Sequence, residues 1–233
     1  MSNAPAGIYT IGQTPRPDLA GGLRSVLGDA DFEIRGALDG LDGSRIPVCG
    51  ANGYPLETQL HDGARIVVDA AFVEPLLQRA IDECDQRVAA HLVLCAGPFP
   101  HLTSHRALIR PFEAAVAELS QPGFRALEVI VPFVAQAAPA ARKWAAAGFS
   151  CRMHELDKKP EDLPPARWLA SRLSDTTADV LVFDYVGSRA AFVEEVGAQM
   201  GMPTLDLGRL ALDALARTMA TLGKEVPTLP EIP

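Results

Sequence analysis

Residues 91–106 read HLVLCAGPFPHLTSHR. A short apolar run ends in Cys95, and Ala96, Gly97 and Pro98 break it at once. An apolar run of about four to eight residues, bounded by glycine and proline, has the pattern of a buried strand. A second run of the same kind, VLVFDYVG at 180–187, ends in Asp184, Tyr185 and Gly187. Together they suggest two buried strands, each delivering a reactive side chain where it stops.

Outward from these runs the chain alternates strand and helix. In the first half, strands are expected at 7–12, 32–40, 64–70 and 91–95, and helices at 19–27, 72–89 and 106–119. The break QPG at 121–123 is followed by a second series. Its strands are expected at 126–132, 150–156, 180–187 and 203–207, and its helices at 134–147, 165–175, 190–200 and 208–222. The tail at 225–233, EVPTLPEIP, is too rich in proline to continue a helix. Repeated alternation implies mainly parallel sheets covered by helices on both faces. The expected fold is therefore α/β, with two similar lobes: an N-terminal lobe over 1–121 and a C-terminal lobe over 122–233. The chain is expected to cross between them near the C-terminus.

Composition narrows the function. The chain has 233 residues, 48% of them hydrophobic, which is ample for a sizeable core. Net charge is -8, without a Lys/Arg cluster, which argues against nucleic-acid binding. No apolar run approaches the roughly 20 residues that span a bilayer, and the first residues lack the pattern of a secretory signal. A cytoplasmic protein with no membrane partner is expected. The four cysteines, Cys49, Cys84, Cys95 and Cys151, form no Cys-x-x-Cys pair and no zinc-like spacing with histidine. Reduced thiols and no metal are expected.

In parallel sheets ligands bind beyond the carboxyl ends of the strands. Four such ends are chemically rich. After the first strand come Gln13, Thr14 and Arg16, which with the next helix N-terminus suit a small anion; the alternative is a helix capped by Asp18 beside a solvated Arg16. After 91–95 come Cys95, Ala96 and Gly97, small enough for backbone N–H groups to approach a ligand. A nearby helix would favour the thiolate; the alternative is a packing cysteine. Phe133 and Gln136 follow 126–132. Tyr185, Gly187 and Ser188 follow 180–183, where Asp184 serves chemistry or the next helix. Cys49 is a rival thiol. His101 and His105 are candidate bases for a Cys95 hydrolase, whereas His61 and His154 show no companions in the sequence. Cys95 and Tyr185 occupy corresponding positions in the two halves, an arrangement suited to proton transfer on two faces of one carbon.

The motifs IGQTPRPD, GALDGLD, LCAGPFP, VIVPFVAQ and FDYVG, in this order, resemble the AroM family over roughly residues 8–216. That family resembles a branch of the Asp/Glu racemase superfamily. The resemblance implies two α/β lobes around a cleft, and cofactor-independent racemases, isomerases or decarboxylases acting on small carboxylates. It implies that Cys95 matches the catalytic cysteine of the first lobe. The second cysteine position falls at Tyr185, so a symmetric two-thiol reaction is not expected. The backbone at Ala96, Gly97, Gly187 and Ser188 is implied as carboxylate-binding. Ala96 lacks a side-chain donor and Pro98 lacks an N–H, which shifts anion binding towards Gln13, Thr14 and Arg16. The resemblance assigns no reaction. The reading is a thiol-dependent proton-transfer enzyme on a small carboxylate, working without a cofactor. The alternative is a carboxylate-binding protein or sensor that has lost the second cysteine. Superfamily members often associate as dimers, so a homodimer is expected by analogy.

Overall fold

The computed structural model describes residues 4–159 and 164–223. The C-terminal tail lies outside the described residues.

Four parallel strands build the first sheet: β1 (Ala6–Thr10), β2 (Phe32–Gly36), β5 (Ala90–Val93) and β6 (Ala107–Ile109), in the order β2-β1-β5-β6. The second sheet holds β7 (Ala126–Val131), β8 (Ser150–Glu155), β9 (Val180–Phe183) and β10 (Thr204–Asp206), in the order β8-β7-β9-β10. Each sheet thus follows one pattern, with its first strand in chain order flanked by its second and its third. The central strands β1, β5 and β9 are buried at every position, which is why they read as largely apolar runs, with Thr10 and His91 as buried polar members.

Helices α1 (Pro17–Leu27), α2 (Ala70–Cys84), α3 (Pro111–Ser120), α4 (Val134–Ala146), α5 (Pro165–Leu173), α6 (Ala190–Met200) and α7 (Leu207–Leu222) cover the sheets. Two of them cross over. α3 leaves the first sheet and buries Ala115 and Leu119 with Val129, Trp144 and Phe149 of the second half. α7 leaves the second sheet and buries Ala211 and Leu215 against Ala6, Ile8, Ala90 and Leu92 of the first. Among the described residues no helix is long and apolar enough to cross a membrane.

Three expectations are corrected. The helix expected at 106–119 is a strand followed by a helix. Leu108 and Ile109 pair with His91 and Leu92, and Pro111, which lacks an N–H, opens α3. The segment at 64–70 is not a strand of the parallel sheet. It is β4 (Arg65–Asp69), antiparallel to an unanticipated β3 (Pro55–Gln59). Gly63, at φ +87°, makes the turn, and the Asp62 carboxylate accepts from the Ala64 N–H. The helix at 72–89 starts earlier, at Ala70, where Asp69 caps it by accepting from the Ala71 N–H, and it ends at Cys84.

Candidate active site

A cavity of about 640 Å³ opens where the strands of both sheets end. Its floor is made at the strand ends: Thr10, the last residue of β1, and Ile11, Cys95 to Gly97 after β5, Pro132 and Phe133 after β7, and Asp184 to Gly187 after β9. The β3–β4 hairpin supplies a wall through Leu56, Thr58 and Arg65. That hairpin reaches the floor only because residue 12 is glycine. A Cβ at Gly12 would fall inside van der Waals contact of the Gln59 carbonyl oxygen and Thr58 Oγ1.

The first loop divides unexpectedly. Arg16 lines the cavity, with its side chain 17% exposed and paired to Asp18 at 2.6 Å. That pairing holds the Asp18 carboxyl below its ordinary range. Arg16 itself stands at the N-cap, so neither a capping Asp18 nor a solvated Arg16 is found. Gln13 and Thr14 are elsewhere, because protein partners consume their polar atoms. The Gln13 amide donates to the carbonyls of Leu38 (3.0 Å) and Leu41 (2.7 Å), and its oxygen meets the His61 N–H (3.0 Å) and Nδ1 (2.7 Å). Thr14 gives its N–H (2.7 Å) and hydroxyl (2.8 Å) to Asp39. Both hold the glycine-rich loop after β2 in place, and neither lines the cavity.

Cys95 lines this cavity from the buried core of the first half, with 8% of its surface exposed. Burial pushes its thiol up to about 11, although the Gly97 N–H, 3.4 Å from Sγ, and Lys143 both oppose that rise. The thiol is therefore protonated at neutral pH. The thiolate expected from a nearby helix is not found. The chain runs from Cys95 through Phe99 to β6, and the next helix, α3, packs into the other half. His101 and His105 are exposed and do not line the cavity. Their backbone N–H groups bond Glu74 and Asp85, and neither residue joins Cys95 in the cavity lining, which does not support a Cys–His dyad. The rival Cys49 likewise lies outside the cavity wall.

On the other side, Tyr185 lines the cavity and burial raises its phenol further above 10.0. Gly187 lines it too, at φ +102°, a conformation that favours glycine. The Ser188 hydroxyl is buried beside this loop, outside the wall. Phe133 and Gln136 both line the cavity. The Gln136 Nε2 donates to the Pro55 carbonyl at 3.3 Å, while its Oε1 is buried without a protein partner. Of the residues expected at the site, the structure gathers Cys95, Ala96, Gly97, Arg16, Phe133, Gln136, Tyr185 and Gly187, and leaves Gln13, Thr14 and Ser188 behind the wall.

One residue was missed altogether. Lys143, on α4, is buried, with its Nζ 2.7 Å from Asp184 Oδ1 and 2.9 Å from the Ala96 carbonyl. Trp144 Nε1 donates to the other Asp184 oxygen at 2.8 Å. The signal lay in the spacing: Lys143 falls on the buried helical stripe of Gln136 and Ala140. Asp184 thus serves this pair and not the helix that follows. Among the described residues no group of three His, Cys, Asp or Glu side chains could hold a metal ion.

A match to the family model described as AroM protein spans residues 6–222. The chain belongs to the AroM family. No curated protein matches it. The chain is similar in fold to solved structures of a decarboxylase, a racemase and an isomerase. A cysteine mutant of arylmalonate decarboxylase in a sulfate-associated form aligns with TM-score 0.61 and 13% identity, over 97% of this chain and 96% of that one. Glutamate racemase from Francisella tularensis, in complex with D-glutamate, gives TM-score 0.56 and 14% identity over 98% and 85%. Nocardia farcinica maleate cis-trans isomerase gives TM-score 0.57 and 16% identity over 92% of each chain. At these identities the likeness is one of fold: two α/β lobes with parallel sheets flanked by helices.

Proposed function

We propose that this member of the AroM family is a cofactor-independent enzyme that protonates a carbanion beside a carboxylate, with Cys95 as the acid. The observation that carries this reading is the placement of Cys95 and Tyr185 at matching strand ends of one cavity, with Arg16 in the same wall. A thiol raised to about 11 keeps its proton at neutral pH, which suits a donor better than a base or a nucleophile. That favours decarboxylation of a small dicarboxylate over isomerisation by thiolate addition.

The step balances without a cofactor. The bond from the carbon to one carboxylate breaks and CO2 leaves. The electron pair stays as an enediolate on the remaining carboxylate. The Cys95 S–H then protonates the carbon on one face, and the resulting thiolate regains a proton from water. Arg16 and the backbone at Ala96, Gly97 and Gly187 line the place where the retained carboxylate would sit. Tyr185, held protonated, is the hydrogen-bond donor on the opposite side.

The test is a panel of small dicarboxylates in D2O followed by NMR. The expected result is a product bearing one deuterium at the former dicarboxylate carbon, with turnover falling about 10²–10⁴-fold in Cys95→Ala. Thermal stabilisation by an acid without turnover would instead favour a carboxylate-binding protein. Turnover unchanged by Cys95→Ala would remove the thiol from the reaction.

A further inference from the structure

The two loops that carry Cys95 and Tyr185 come from different sheets, and one buried ammonium ties them together. Lys143 Nζ bonds the carbonyl of Ala96, the neighbour of Cys95, and the carboxylate of Asp184, the neighbour of Tyr185. Its side chain is 4% exposed and that of Asp184 is fully buried. Three aromatic rings close around the charge, with Phe112 at 4.5 Å, Tyr54 at 5.4 Å and Trp144 at 5.7 Å from Nζ to the centroids. The Trp144 indole fixes the second oxygen of Asp184. A buried pair is an expensive way to hold two loops, since apolar packing of similar volume often does so as well. A charge at this spot has a use that apolar packing lacks: it acts on whatever charge develops at the adjacent sulfur.

We propose that Lys143 is the positioning residue of the AroM cavity, clamping the Cys95 and Tyr185 loops and stabilising the thiolate left when Cys95 gives up its proton. This rests on the proposed donor role of Cys95 for its catalytic meaning, but not for its test. The charge balance around the sulfur agrees in sign. Lys143 favours the thiolate, and Asp184 opposes it by less. Asp184 and Tyr185 after β9, Tyr54 before β3 and Cys151 on β8, which feels the Asp184 charge, are titratable groups near this point. The cavity wall adds Glu57 and Arg65 from the hairpin, and Arg16 and Asp18 at the start of α1.

The test needs no substrate. Alkylation of Cys95 by iodoacetamide is followed against pH, with the Cys95 peptide quantified by mass spectrometry so that Cys49, Cys84 and Cys151 do not interfere. Lys143→Met is expected to raise the midpoint by a unit or more, so that alkylation at pH 9 slows about tenfold. Lys143→Arg, which keeps the charge, is expected to stay within about threefold of the parent. A merely structural lysine would give the opposite sign: loosened packing admits water, relieves the burial that holds the thiol high, and lowers the midpoint. A fall or an unchanged midpoint in Lys143→Met therefore overturns the proposal. Should that variant not fold, Lys143→Met/Asp184→Asn leaves no unpaired buried charge. Its midpoint is still expected to rise, because the larger of the two influences has been removed, and a fall overturns the proposal equally. If the midpoints move as expected while Cys95→Ala keeps its turnover, the donor reading fails and the assignment of Lys143 stands.

Discussion

Cys95 and Tyr185 are each the second residue beyond a strand: β5 ends at Val93 and β9 at Phe183. The two strands hold the same place in sheets of the same order, β2-β1-β5-β6 and β8-β7-β9-β10, and both residues line one cavity. The internal repeat therefore brings a thiol and a phenol to equivalent positions around a shared space.

On the proposed reading, this pair has a distinctive pH dependence. Burial holds the thiol at about 11 and raises the phenol above 10.0, so both donors keep their protons through neutrality. Turnover is expected to be flat between about pH 6 and 9 and to fall towards the thiol value at higher pH. Tyr185→Phe should lower kcat more than it raises KM, because a donor that meets developing charge acts mainly in the transition state. A rate that rises from pH 7 to 10 would mark Cys95 as a base or nucleophile.

Acid stability should depend on Glu128. This buried β7 carboxylate accepts from Arg152 (2.6 and 2.9 Å), His154 (2.7 Å) and Thr176. Burial pushes its carboxyl up, but Arg152, Thr176 and His154 together outweigh that and hold it below its ordinary value of 4.5. Burial likewise lowers His154 below 6.5. Both groups bind protons more readily in the unfolded chain. Their contribution is complete above about pH 6.5 and is lost in two stages as pH falls, the last through the lowered Glu128 value. Glu128→Gln is expected to cost about 2 kcal/mol at pH 7 and to flatten the acid limb of a urea-midpoint profile. An unchanged limb would place the acid sensitivity elsewhere.

Gly12→Ala tests how the hairpin is seated. The new methyl meets the Gln59 carbonyl and Thr58 Oγ1, which are backbone and a short side chain and cannot swing aside. Destabilisation of about 1–3 kcal/mol is expected from the overpacking. The hydrogen bond from the Gln13 N–H to the Gln59 carbonyl, 3.1 Å, should open with it. Faster hydrogen exchange at Gln13 would report that movement, and unchanged exchange would show the strain absorbed elsewhere.

The sequence discloses this fold where burial is complete and hides it where function needs polar or short elements. The strands expected at 180–187 and 126–132 are found over Val180–Phe183 and Ala126–Val131, where both faces are covered and nearly every residue is apolar or β-branched. PLETQ at 55–59 passes for a loop because a hairpin paired on one side keeps Glu57 exposed. ALI at 107–109 is too short to show a period. The cavity lining was legible at Cys95 and Tyr185, since strand ends can be located, and not at Gln13, whose partners lie 25 to 48 residues away and hold it outside the lining. His61 and His154 had no visible companions for the same reason: theirs are 48 and 26 residues distant. Lys143 escaped because lysine is ordinarily a surface residue, and only its place on the buried stripe of α4 contradicts that.

The crossing of α7 makes the two halves interdependent. Leu207, at its start, is buried in the core of the second half, while Ala211 and Leu215 are buried beneath the first sheet. Leu215 is fully buried against side chains some two hundred positions away in the sequence, among them Ile8. Leu215→Ala is therefore expected to cost about 2–5 kcal/mol, as for any leucine removed from a closed core. More tellingly, urea unfolding should remain a single transition that moves as a whole, because the helix belongs to both cores and neither half keeps its packing without it. α3, which carries Ala115 and Leu119 into the second core, adds a second crossing in the other direction. Coincident fluorescence and circular-dichroism transitions would bear this out, with Trp144 and Trp168 reporting from the second half. Two separated transitions in Leu215→Ala would show that each sheet holds its own core and that α7 is only laid across them.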